Sequence, residues 1–190
     1  VEKQAADYSA DLRQIALDYY SRRISFLTFR LRMTALIGTG LTRAWLSGRE
    51  AVGKRGELTF SDRAVIQREV TREVRFLDGF TRAIESLIRE GKDVDKISRR
   101  IDLWGDAFVR VQGLSTVYNG ESQLFRWTLH PAEHCQDCTR LSGMIKTAKE
   151  WIRMGYYPKS WSLACRQGCK CSLDPVGQTQ AQGQEQIDEI

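Results

Sequence analysis

The sequence predicts an α+β protein, predominantly α-helical, in which a long-helix N-terminal region is followed by a small Cys-rich α+β module. Three observations point there. No proline precedes Pro131, whereas Pro131, Pro158 and Pro175 all lie in the last third, and proline is the residue that helix interiors exclude. Apolar residues recur at three-and-four spacing through the proline-free part, as on one face of a helix. All five cysteines fall between Cys135 and Cys171.

Tyr8, Leu12, Ile15, Ala16 and Tyr19 form a single stripe and predict a helix ending near Tyr20. From Ile24 to Leu46 apolar residues are dense. Phe29, Leu31 and Met33 alternate with Arg30 and Arg32 as in a strand, but the length of the segment favours helix. Gly38, Gly40, Gly48, Gly53 and Gly56 predict a hinge or a series of short turns over 38–60. Asp62 to Glu90 reads as one long amphipathic helix: Ser61 is its N-cap, Ile66, Val70, Val74, Leu77, Phe80, Ile84 and Ile88 its stripe, and Gly91 its end. Asp93 starts another, with Val94, Ile97, Ile101, Trp104 and Phe108 facing inward, which runs to about Tyr118 before Asn119-Gly120 turns the chain.

The texture then changes. Leu124 to Leu129 has strand propensity and His130-Pro131 ends it. Thr147 to Met154 reads as a short helix closed by Gly155, and Lys170 to Leu173 as a brief returning strand. From Gly177 the chain is rich in Gln with Glu185, Asp188 and Glu189, the composition of a flexible tail or of one that orders on a partner. The expected organisation is a helical docking or arm region over 1–120, a cysteine-rich module over 121–176 and a flexible tail over 177–190.

A chain of 190 residues can bury a real core and needs no staple merely to fold, so the cysteines serve something local. With 42% hydrophobic and 28% charged residues, the composition is that of a soluble globular protein, and no apolar run approaches the roughly eighteen residues of a membrane span. The chain begins at Val1 with no charged-then-apolar leader, so export is not expected. The net charge of +5 is unevenly spread: Arg22, Arg23, Arg30, Arg32, Arg43, Arg49, Lys54 and Arg55 lie between Tyr20 and Arg55 with Glu50 as the single acid. Clustered arginines attract nucleic acid or an acidic protein surface; a solvated helix face is the alternative.

The cysteines are spaced as Cys135-x-x-Cys138 and Cys165-x-x-x-Cys169-x-Cys171. A Cys-x-x-Cys knuckle turns two sulfurs toward one point, and a second pair from a distant segment completes a tetrahedron. Cys135, Cys138, Cys165, Cys169 and Cys171 are the candidate metal ligands, with His130 or His134 as substitutes for one sulfur. Zinc is the candidate cofactor; disulfides and free thiols remain alternatives. The odd number of cysteines argues against a complete disulfide framework. Catalysis is not expected. A Cys138 nucleophile with His134 or His130 as base has no third orienting group, no thioredoxin-type strand and helix bracket the motif, and no phosphate-binding glycine loop is present.

The stretch from about Leu114 to Val176 resembles the phage Mu protein F-like family of minor head, or head morphogenesis, proteins. The likeness lies in Phe125-Arg126-Trp127-Thr128, then His134-Cys135-Gln136-Asp137-Cys138, Leu141-Ser142-Gly143, Trp151, Gly155, Tyr157-Pro158, Leu163-x-Cys165 and the closing Cys169-Lys170-Cys171-Ser172-Leu173-Asp174-Pro175-Val176. Cys165 stands where the family often has a histidine before its Cys-x-Cys. The resemblance implies a structural component of the virion near the portal vertex, assembled in the host cytoplasm. Its partners would be the portal protein, the major capsid protein or both, with contact to packaged DNA and no membrane. Arg22, Arg23, Arg30, Arg32 and Arg43 then become candidate contacts to DNA or to the portal. The alternative is a zinc-dependent nucleic-acid-binding protein that uses Arg126, Trp127, Lys146, Lys149, Trp151, Arg153 and Lys170. A third class is an enzyme or toxin, since similar domains also occur joined to effectors.

Overall fold

The computed structural model describes residues 2–92 and 95–177. Along the chain lie α1 (Glu2–Tyr20), α2 (Phe26–Ala51), α3 (Phe60–Val74), α4 (Leu77–Glu90), α5 (Asp95–Asn119), β1 (Leu124–Thr128), α6 (Gln136–Leu141), β2 (Ile145–Thr147), α7 (Ala148–Met154), a 3₁₀ turn at Arg166–Gly168, and β3 (Ser172–Pro175). The fold is α+β and predominantly helical, with a cysteine-rich C-terminal region. The described residues divide into two compact units. One contains the chain up to Ser47 with Arg55–Gln112, the other Gly48–Lys54 with the chain from Gly113. The expected tail and the helix start at Asp93-Val94 lie outside the described residues.

The first unit is helical. Tyr8, Leu12 and Ala16 of α1 are buried, as are Phe29, Met33, Ile37, Leu41 and Trp45 of α2, Phe80 and Ile84 of α4, and Ile97, Ile101, Trp104 and Phe108 of α5. Tyr19 stacks on Phe29 with ring centroids 4.5 Å apart, and Phe80 meets Trp104 edge-on at 5.0 Å, arrangements aromatic rings favour.

Three sequence expectations are corrected here. The expected hinge over 38–60 is largely helix, because α2 continues to Ala51. Gly40 is there for close packing: a Cβ at that position would lie 2.3 Å from the Tyr8 ring. The expected single helix over 62–90 is two helices, parted at Arg75-Phe76 with no glycine or proline to announce it. Its N-cap is Thr59 rather than Ser61. Thr59 Oγ1 accepts from the amide of Asp62 at 3.1 Å, while the Thr59 amide donates back to Asp62 Oδ2 at 2.9 Å, a closed capping box.

The buried face of α3 also differs from the apolar stripe. It carries Asp62, Val65, Ile66, Glu69 and Glu73. Their burial is compensated by donors from other helices. Trp45 Nε1 donates to Asp62 Oδ1 at 2.8 Å, and the fully buried Arg110 donates to Glu69 Oε2 at 2.5 Å and Glu73 Oε1 at 2.9 Å. Burial nevertheless holds the Glu73 carboxyl above its ordinary pKa, against the pull of Arg110.

The second unit is built on a three-stranded antiparallel sheet in the order β2-β1-β3. Leu124 pairs with Thr147 on one side of β1, and Trp127 with Leu173 on the other. Alternation along β1 sends Phe125 and Trp127 inward and Arg126 outward. Trp127 packs on Trp151 of α7 at 5.7 Å, and Trp151 Nε1 donates to the Phe125 carbonyl. The short helix α7 ends at Gly155 as expected, in the left-handed conformation at φ 72°, and at its start Thr147 and Glu150 close a capping box. The returning strand begins two residues later than expected, at Ser172, which leaves Cys169 and Cys171 free of the ladder to turn toward the core.

Candidate metal centre

The two cysteine segments reach one place by separate routes. After β1 the chain turns at His130-Pro131, and Cys135 caps the short helix α6, whose first turn carries Cys138 inward. After α7 a loop leads through Leu163 to Cys165, the 3₁₀ turn, and then Cys169 and Cys171. Two polar contacts fix this loop. Asp137 Oδ2, inside the knuckle, accepts from the amide of Ala164 at 2.9 Å, and the backbone of Lys159, held at φ 63°, donates to Cys169. Sequence reasoning assigned neither residue a role. Asp137 had a signal in its position between two cysteines, whereas nothing in the residue type marks Lys159.

Cys138 Sγ lies 3.5 Å from Cys165 Sγ and 3.6 Å from Cys169 Sγ. All five cysteines are free, since a disulfide needs about 2.05 Å. Sulfurs at the corners of a zinc tetrahedron stand about 3.8 Å apart, given a Zn–S bond of about 2.3 Å. Among the described residues, Cys135, Cys138 and Cys165 form one triad of mutually close donors, and Cys138, Cys169 and Cys171 another. The cluster can bind a metal ion.

The surroundings fit an anionic, metal-bearing sulfur cluster. Burial works against the Cys135 thiolate, yet the amides of Cys138 and Cys165 outweigh it and bring the thiol down to about 7. Cys169 is lowered in the same way, burial being overcome by the amides of Lys159 and Cys171. Burial and neighbouring thiols raise Cys138, and burial with the Cys135 contact pushes Cys165 up to about 12. Three of the thiols, Cys138, Cys169 and Cys171, are buried, and a cation is what would let such groups ionise together. The indole N–H of Trp127 is buried without a conventional acceptor and acts on Cys171, where an anionic sulfur would satisfy it.

No family model, curated protein or solved structure matches this chain. The geometry of its own residues therefore defines the site.

The two histidines separate. His134 donates Nε2–H to the His130 carbonyl at 2.7 Å, which leaves Nδ1 as a lone pair 3.6 Å from Cys171 Sγ. His130 itself pairs through Nε2 with Ser172 Oγ at 2.9 Å and joins neither triad.

The arginines expected to contact DNA or a portal all lie in the first unit. Arg23 pairs with Asp18 at 2.7 Å, and Arg30 pairs with Asp78 while lying over the Phe26 ring. Arg22, Arg32 and Arg43 are exposed. In the second unit Trp127 and Trp151 are fully buried, so the base-stacking platform of the nucleic-acid alternative is not available from them.

Proposed function

We propose that this chain is a non-catalytic structural protein of the tailed-phage minor head kind, acting in head morphogenesis near the portal vertex, with a zinc ion closing its cysteine-rich module. The observation that carries the reading is the convergence of all five thiols around Cys138, which ties the loop after α7 to the knuckle after β1. A site of this composition, packed into a core with Leu141, Trp151 and Leu163, suits a structural role. Zinc there would supply cross-linking and charge neutralisation. The chain's residues would orient it: amides on Cys135 and Cys169, Asp137 holding the loop, and Trp127 beside Cys171.

The phage assignment rests on the order of residues from Phe125 through Cys138, Gly143, Trp151 and Cys165 to Val176. An assembly role draws support from the first unit, where Leu27 and Leu31, one helical turn apart on α2, are 65% and 63% exposed. The test is to assay particles of the source phage for this chain and to compare heads formed with and without it. Its presence at few copies per particle, with defective heads in its absence, is the expected result. Intact infectious particles lacking the chain would overturn the reading.

A further inference from the structure

We infer that the cysteine cluster holds two zinc ions rather than one, with Cys138 Sγ bridging them. This rests on the zinc reading above and deepens it. The five thiols are arranged as two triads that share a single corner: Cys135 and Cys165 stand with Cys138 in one, Cys169 and Cys171 in the other. The shared sulfur is 3.5 Å from Cys165 on one side and 3.6 Å from Cys169 on the other, both close to the edge of a zinc–sulfur tetrahedron. One four-coordinate ion would use four thiols and strand the fifth.

His134 stands beside one corner of the second triad. His134 Nδ1 faces Cys171 Sγ at 3.6 Å, and the hydrogen bond from its Nε2 to the His130 carbonyl is the arrangement that ligating histidines use to fix their tautomer. Cys138, Cys169 and Cys171 supply three ligands, and His134, close to Cys171 but outside that set of mutually close donors, is the candidate for the fourth. Cys135, Cys138 and Cys165 supply three ligands at the half-exposed side, where solvent can take the fourth position. Charge favours the same arrangement. Five thiolates around two divalent ions leave a single negative charge, whereas four around one ion leave two, and three of these sulfurs are buried.

The experiment is native mass spectrometry of the full chain reconstituted with Zn2+, paired with ¹¹³Cd NMR of the cadmium-substituted chain. Two ions per chain and two cadmium resonances are expected. Cys171→Ser is then expected to retain one ion and one resonance. A single ion in the unsubstituted chain overturns the two-ion inference and leaves the structural zinc reading standing; no bound ion overturns both. Two ions in Cys171→Ser would place the second elsewhere and also overturn the inference. If Cys171→Ser fails to fold, His134→Ala gives the same reading, because it is expected to weaken the second ion only.

Discussion

Cys138 Sγ lies 3.5 Å from Cys165 Sγ although the two residues are 27 positions apart, and the segment between them carries β2, α7 and the indole of Trp151. Closing that loop joins the sheet to the knuckle. On the zinc proposal, a strong chelator is therefore expected to loosen the module, seen as loss of the near-UV signal of Trp127 and Trp151 and as newly reactive thiols.

Asp137 acts on the site without being one of its sulfurs. Its carboxylate accepts the Ala164 amide one residue before Cys165. Asp137→Ala is expected to lower zinc affinity by about 10–100-fold, the range for residues that orient ligands. Competition against a chromogenic chelator measures this.

The buried ion cluster of the first unit yields two expectations. Arg110→Ala leaves Glu69 and Glu73 buried without their shared donor and should destabilise by about 3–5 kcal/mol in chemical denaturation. Glu73 has the opposite tendency. Its pKa is raised by burial, so its contribution to stability is fully present below the ordinary carboxyl pKa and is lost as pH rises through the raised value. Glu73→Gln should therefore be neutral or stabilising at pH 7, and lose that advantage as pH is lowered toward 4.

Gly40 and Tyr8 are packed too closely for a side chain at position 40. Gly40→Ala is expected to destabilise by about 1–3 kcal/mol, as overpacked cores do. Tyr8→Ala added to it should relieve part of the clash, so the double mutant should be more stable than additivity of the two single changes would give.

The same contacts explain what could be read in advance. The ends of α7 were legible because Thr147 and Gly155 are local signals, whereas the capping box made with Glu150 was not read. The strand propensity of Leu124 to Leu129 marked β1, and the cysteine spacing marked the site. The buried face of α3 was not legible, because Glu69 and Glu73 are made tolerable by Arg110 on another helix, 41 and 37 positions away. Gly40 looked like a hinge for a similar reason: its role is set by Tyr8 across the helix packing. The break at Arg75-Phe76 escaped because the apolar spacing of Val74, Leu77 and Phe80 runs through it unchanged. At the site, which cysteines would share a corner depended on the path of the loop through Lys159 and Ala164, and spacing along the chain does not encode that path.

The most direct test is to measure zinc and reactive thiols together on the full chain purified without chelator. Bound zinc with all five cysteines protected, becoming reactive only when a chelator is added, is the expected result. Five freely reactive thiols with no bound metal would contradict a metal-closed module.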